Sequence, residues 1–339
     1  MFLWLCDALS HHVDRARSDG PLVWPNDPAE VETLVTLAGH HLATPALALA
    51  LRGNSSVPGP VSDYLEAALF LNRERNEQML DGLEIAARAL LACGITPVLL
   101  KGSASLVDGL YPDLGMRILG DLDLLVPAAD AETASKALAD AGFDEFDRGS
   151  ARPVPFTVPH HLPMQSHRST GVGVELHHTV MPPPFARMLD AQHVLQSAHS
   201  ITFRGMVLAQ PSPTHRVLHN VAHDQLADAA YARRTISLRQ LLDLTMIVRR
   251  HREAIDWEEL SAAFSGPQAR VLRYALGLME LFGGALPEFG SAQALQRLRA
   301  GIEHPRSHVG IALMSTAYRL LHQPKALLNV LSPQSWPRA

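Results

Sequence analysis

Asp121 and Asp123, in the run Gly120-Asp-Leu-Asp-Leu-Leu-Val126, are two acidic residues inside an otherwise apolar segment. On a β-strand, side chains two apart project to the same side, roughly 6 to 7 Å apart along the backbone. Paired carboxylates in such a setting are costly unless solvent or a cation compensates them, and a divalent metal does so most cheaply. A third acidic residue, Glu175, stands in Gly173-Val-Glu-Leu-His-His178, where Val174 and Leu176 face the opposite way. Two carboxylates on one strand and a third on a neighbour can hold two divalent ions about 4 Å apart, a clamp for in-line displacement at phosphorus. Mg²⁺ suits that ligand set because it prefers hard oxygen donors, and Mn²⁺ is the alternative. The simpler reading of the pair is a solvated strand end.

Upstream, Lys101-Gly102-Ser103 follows the short apolar run Ile95 to Leu100. That order reads as a buried strand, a tight turn and a helix start, whose backbone N–H groups suit a nucleotide's phosphates. Ser103 reads equally well as a helix cap. Lys101 and Arg117 carry charge that would neutralise a triphosphate, Arg through its bidentate fork. Either one would instead hold Asp121 or Asp123 by a salt bridge in the metal-free protein.

Histidines number 18, and His160, His161, His167, His177 and His178 fall on one proposed hairpin with Glu175. Their spacing matches no compact zinc motif. His177 shares the strand face of Glu175, and His160 or His161 pairs across the hairpin with that region; His161 and His177 are the candidates for substrate contact. His215, His219 and His223 lie four apart on one helix face, but without the glutamate of a HExxH motif. They read as packing or as a polar wall on the acceptor side, with Asp224 as a partner. Arg239 and Asp243 read as a structural i, i+4 pair.

The elements that must position these groups divide the chain into three regions. Residues 1–92 read as helical, with Leu65, Leu69, Leu80, Leu83, Ala87 and Leu90 near one stripe and Gly94 as the C-terminal stop. Residues 93–210 read as a mixed α/β core. It comprises the first strand, the two-aspartate strand, a helix over 129–141, a short strand at 143–146, a hairpin of 155–167 with 172–179, and a second hairpin around Arg204-Gly205. Residues 211–339 read as helical, with helices near 213–226, 236–251, 257–265, 268–282, 291–302 and 308–322. The fold class is therefore α+β: a small mixed sheet flanked by helices on both sides in sequence.

Composition narrows the chemistry further. A formal charge of −5 provides no polybasic footprint for long nucleic acid, while a nucleotide or small substrate remains compatible. The two cysteines, Cys6 and Cys93, make neither a disulfide framework nor a cysteine-built zinc site. The N-terminus is a poor signal peptide, and no apolar run is long enough for a membrane span. These features point to a cytoplasmic protein.

Taken together, LLKGSAS, LYPD, Arg117, GDLDLLV and VELHH resemble the polymerase-β-like nucleotidyltransferase superfamily, and more narrowly its bacterial group of uncharacterised nucleotidyltransferases. The resemblance spans about residues 60–250. It implies that Gly102 and Ser103 touch the β and γ phosphates, that Asp121 and Asp123 bind both metals, and that Glu175 binds the catalytic one. The implied activity is transfer of a nucleoside monophosphate from an NTP, with ATP the default donor by abundance. The acceptor (a small molecule, a peptide, a protein side chain or an RNA end) stays open. The interval from Ser103 to Asp121 is longer than in the smallest superfamily members, so extra structure should sit beside the phosphates. Two rival readings are a non-catalytic nucleotide- or peptide-binding scaffold and a γ-phosphotransferase.

Overall fold

The computed structural model describes residues 1–13, 22–145, 160–183, 185–284, 286 and 289–303. The chain begins with three short helices, α1 (Phe2–Ser10), α2 (Pro28–His40) and α3 (Thr44–Leu51). Asp27 caps α2 by accepting from the Ala29 N–H, with Pro28 at the first helical position, where its missing donor is harmless. Then comes α4 (Gly59–Ala92), whose 34 residues extend about 50 Å. Its buried positions step by three and four through Leu65, Leu69, Asn72, Asn76, Met79, Leu83, Ala86 and Leu90. Gly94 takes a left-handed φ of 76°, letting Ile95 N–H donate back to the Leu90 carbonyl and stop the helix.

The α/β core follows in the order β1 (Val98–Leu99), α5 (Lys101–Val107), β2 (Leu122–Leu125), α6 (Ala131–Asp140), β3 (Phe143–Glu145), β4 (Gln165–His167), β5 (Gly173–His177), α7 (Ala191–Ser197), β6 (His199–Phe203) and β7 (Met206–Gln210). These strands form one seven-stranded mixed sheet in the order β3-β4-β5-β2-β1-β7-β6. The central pair β2/β5 is parallel, and β1 runs antiparallel to β2 but parallel to β7. The β6–β7 hairpin turns on Arg204 and Gly205, both at positive φ, the geometry whose twist matches the strands it joins. The expected 155–167 strand survives as β4 at its C-terminal end; positions 155–159 lie outside the described residues.

Strand alternation sorts side chains onto two cores. Leu99, Leu122, Leu124, Val174 and Leu176 pack with the C-terminal half of α4 and with α6 on one face. Val98, Leu100 and Leu125 turn to the other face. That second face is covered by the C-terminal helices α8 (Pro213–Val221), α9 (Ala230–Arg233), α10 (Leu238–His251), α11 (Trp257–Ala263), α12 (Ala269–Leu278) and α13 (Ser291–Glu303). A π-helical turn, Ala222–Ala227, continues α8, in place of the uninterrupted helix expected to 226. The N-terminal helices share the core of the C-terminal ones: Leu5, Leu34, Leu47 and Leu69 pack in one cluster with Leu218, Leu242 and Phe282. The expected helix at 308–322 lies outside the described residues. Among the described residues no helix is long and apolar enough to cross a membrane.

Candidate active site

Asp123 and Glu175 are register partners across the parallel β2/β5 pair. Their neighbours in sequence face the apolar core, so both carboxylates point to the face covered by α8. His177, two residues beyond Glu175, shares that face. One ligand atom from each of Asp123, Glu175 and His177 lies within 4.8 Å of the other two, and all three residues are buried. Such proximity of two carboxylates demands a positive neighbour. The neighbour is Lys101, whose Nζ lies 2.6 Å from Asp123 Oδ1. His177 Nε2 sits 2.9 Å from the same oxygen and 3.8 Å from Glu175 Oε2.

The charges follow from these contacts. Burial pushes the Asp123 carboxyl up, but the Lys101 ammonium and the His177 hydrogen bond outweigh it and hold the carboxyl well below the usual range. Burial also opposes the Lys101 charge, yet Asp123, Glu175 and Asp121 keep its pKa above the ordinary value. His177 is pushed down by burial, more than Asp123 raises it, so its ring is neutral. With Nε2 facing two carboxylates, the proton belongs on Nε2, which donates to Asp123. Asp121 stands at the bend before β2, outside the three-residue cluster and half-buried. Its charge still reaches Lys101, Arg117 and Arg239.

The turn between β1 and α5 is strained where it matters. Lys101 adopts φ 46°, a left-handed conformation unfavourable for a side-chain-bearing residue. Helix α5 starts at Lys101 with Leu100 as the N-cap, so Ser103 is inside the first turn and does not cap it. Its hydroxyl oxygen instead accepts the Asp123 N–H at 2.9 Å, fixing β2 against the helix. Gly102 is required for a reason the sequence did not disclose. A Cβ there would lie 2.3 Å from Arg117 Nη1.

Arg117 is not poised as a free phosphate ligand. Its Nε and Nη2 reach Asp243 Oδ2 at 2.9 and 2.8 Å, and both partners are buried. Tyr111 Oη donates to the same carboxylate. The expected Arg239–Asp243 pair is thereby corrected: Arg239 Nη1 donates to the Ile118 carbonyl at 2.9 Å, since Arg117 has already claimed the carboxylate. The long segment between Ser103 and Asp121 is clamped to α4 by two buried asparagines. Asn72 Nδ2 donates to Gly115 and Arg117 carbonyls at 2.7 and 3.0 Å, and Asn76 Nδ2 to Leu114 and Arg117 carbonyls at 2.7 and 2.8 Å.

Three imidazoles close the other side. His161 forms a bridge pair with His177, and the His160, His161 and His177 rings lie 4.7 to 5.3 Å apart. His161 Nδ1 donates to the Leu162 carbonyl at 2.7 Å, which turns Nε2 toward Glu175, 3.7 Å away. Burial and the neighbouring positive groups push His160 down to about 3. On the Lys101 side, a cavity of about 30 Å³ is lined by Lys101, Ser105, Arg216, His219, His223 and Asp243. His219 is buried, and burial followed by the nearby Lys101 charge lowers its pKa well below the usual value. His223 pairs with Asp228 at 3.1 Å, while Asp224 accepts from Gln225, so the His–Asp partnership expected within 215–224 is displaced by one turn.

Sequence reasoning missed Asn72 and Asn76, and it paired Asp243 with Arg239 where the structure pairs it with Arg117 and Tyr111. A signal existed for the asparagines, which interrupt the buried stripe of α4 at i, i+4. Asp243 gave none, because its partner is 126 residues away.

The family model described as "uncharacterised nucleotidyltransferase" matches residues 27–284. Among solved structures, the chain is similar to an antigenic nucleotidyltransferase-like protein from Paracoccidioides brasiliensis. The likeness has 15% identity and a TM-score of 0.36, covering 61% of this chain and 94% of that one. No curated protein matches the chain.

Proposed function

The chain belongs to this family of uncharacterised nucleotidyltransferases, and on that premise we propose that it transfers a nucleoside monophosphate, AMP from ATP, to an acceptor hydroxyl with release of pyrophosphate. The observation that carries the reading is the juxtaposition of Asp123 and Glu175 across β2/β5, beside a turn that delivers Lys101 to the same point. Two carboxylates with ligand atoms within 4.8 Å make a hard-oxygen set that fits Mg²⁺ or Mn²⁺, with Asp121 supplying further negative charge at the rim. Bound there, Mg²⁺ would neutralise triphosphate charge and lower the pKa of the acceptor hydroxyl.

The residues of this chain then have separate duties. Asp123 and Glu175 hold the ion or ions. His177 keeps its proton on Nε2 and steadies the Asp123 carboxylate. Lys101 neutralises Asp123 until another cation takes over, when its flexible stem carries the ammonium to the phosphates. Ser103 keeps the strand and turn in register through the Asp123 N–H, while the Gly102 and Ser103 backbone lines the phosphate side. His161, oriented by the Leu162 carbonyl with Nε2 toward Glu175, is placed to contact the substrate. Arg117 acts from beneath Gly102 as a positioning group locked by Asp243.

Calorimetric titration with a nonhydrolysable ATP analogue and Mg²⁺ tests this reading. Wild type should bind the analogue, and Asp123→Asn and Glu175→Gln should each weaken binding at least tenfold. Equal affinity for all three proteins would overturn the assignment.

A further inference from the structure

We propose that His193, His215 and Glu259 form a second metal site, separate from the carboxylate centre and specific for a zinc-class divalent ion. One ligand atom from each of the three lies within 4.8 Å of the others. Zinc bonds of about 2.0 to 2.2 Å in a tetrahedron need ligand atoms roughly 3.4 Å apart, a contraction that side-chain rotation supplies. The set comes from α7, α8 and α11, which is why no linear zinc spacing is visible in the sequence.

The surroundings prepare the site. Ser197 Oγ lies 2.7 Å from the His193 carbonyl and spends its only proton there. The same oxygen lies 3.3 Å from His215 Nδ1. The ring is held with Nε2 turned to Glu259 Oε1, 2.9 Å away. At that distance Nε2 donates its proton to the Glu259 carboxylate, and an entering cation would take the place of that proton. Nδ1 held by an outer hydrogen bond while Nε2 faces the ion is the arrangement common to histidine metal ligands. Glu259 is positioned independently: Asp256 caps α11 by accepting the Glu258 and Glu259 N–H groups, and Asp256 N–H donates to Thr214 Oγ1 at 2.8 Å, next to His215. His193 is exposed and His215 buried, so the site opens to solvent on one side and leaves a fourth position for water. Carboxylate with two imidazoles selects zinc-class ions over Mg²⁺. Occupied, the site would pin α7 and α11 to α8, the helix that presents His219 towards Lys101.

The test is titration of the metal-free protein with Zn²⁺ alone, and with Co²⁺ alone for the visible spectrum of a tetrahedral ion. An Asp123→Asn, Glu175→Gln background silences the carboxylate centre, so the result does not depend on the proposed reaction. One ion should bind per chain, with tetrahedral Co²⁺ absorption. His193→Ala, at an exposed position, should weaken Zn²⁺ binding more than 100-fold without changing the far-ultraviolet spectrum, and Ser197→Ala should weaken it about tenfold. Absence of stoichiometric Zn²⁺ binding, or His193→Ala and Glu259→Gln binding like the background protein, would reduce the cluster to a hydrogen-bonded pair and overturn the proposal.

Discussion

Replacing Lys101 with methionine removes the ammonium from the carboxylate centre while preserving a side chain of similar length. The backbone strain at φ 46° is common to Lys and Met, so the difference reads the charge. Among the described residues Asp123 would keep His177 as its side-chain donor, with the Glu175 carboxylate still close by. Breaking a buried ion pair by removing one partner costs about 3 to 5 kcal/mol. The Lys101 side chain is 24% exposed, so solvent recovers part of that, and the lower end, about 3 kcal/mol, applies. With an unfolding entropy of about 2.1 cal/mol/K per residue over 339 residues, this lowers the melting temperature by about 4 °C. Asp123→Asn in the same chain should return most of the loss, because the stranded charge disappears. Metal supplies a second handle. An ion entering wild type must displace Lys101 from Asp123, whereas the methionine variant offers a carboxylate without a counter-charge. Mn²⁺ should therefore raise the melting temperature of Lys101→Met by more than that of wild type. Differential scanning fluorimetry on the four proteins of the cycle, with EDTA or Mn²⁺, measures both effects. Lys101→Met melting within 1 °C of wild type at about 0.3 kcal/mol of coupling or less, with no larger metal response, would refute the reasoning.

Gly102→Ala should destabilise by about 1 to 3 kcal/mol, since the new methyl meets the Arg117 guanidinium at 2.3 Å; denaturant unfolding should show much of this penalty vanish when Arg117→Ala is added. Asn76→Ala strips donors from the Leu114 and Arg117 carbonyls, costing about 1 to 3 kcal/mol by the same assay. Acidification should also weaken the metal-free fold. His160 has a folded pKa of about 3 against an ordinary 6.5, so between those values the unfolded chain binds a proton that the folded chain refuses, and stability falls as pH drops below 6.5. Buried His177 and His219 act in the same direction, whereas the depressed Asp123 carboxyl adds its loss only at lower pH, on approach to the ordinary carboxylate range. Urea midpoints in EDTA at pH 7 and pH 5.5 should decrease, and His160→Gln should flatten the slope; equal midpoints would contradict the assignment.

How far the sequence discloses this arrangement depends on the range of the interactions. Strand periodicity is local, so Leu122 and Leu124 against Asp123, and Val174 and Leu176 against Glu175, announce which way each carboxylate points. Gly94, Gly142 and the Arg204-Gly205 turn announce where elements stop, because positive φ is a property of single residues. The parallel register that sets Asp123 beside Glu175 needs the connection through α6 and β4, and only the structure supplies it. Arg117 shows the limit most clearly. Its charge and its place before the aspartates suggest phosphate binding, but Asp243, 126 residues later, takes the guanidinium into the interior. Gly102 then acquires a packing reason that competes with the phosphate one. Asn72 and Asn76 were visible as polar breaks in an apolar stripe, although their partners, the carbonyls of Leu114, Gly115 and Arg117, were not. The helical regions at the two ends, separate in sequence, share one core because Leu5 and Phe282 belong to the same cluster.

The central claim is that the α-phosphoryl group is the one transferred, and paired incubations with ATP labelled at the α or the γ position measure it most directly. Purified protein, Mg²⁺ and a fractionated cell extract supply the candidate acceptors, and Asp123→Asn, Glu175→Gln protein serves as the reference. The account predicts an acceptor labelled from α-labelled ATP alone, pyrophosphate released in equal amount, and no labelling by the reference protein. An acceptor labelled from γ-labelled ATP with ADP as the product, or labelling that persists in the reference protein, would contradict it.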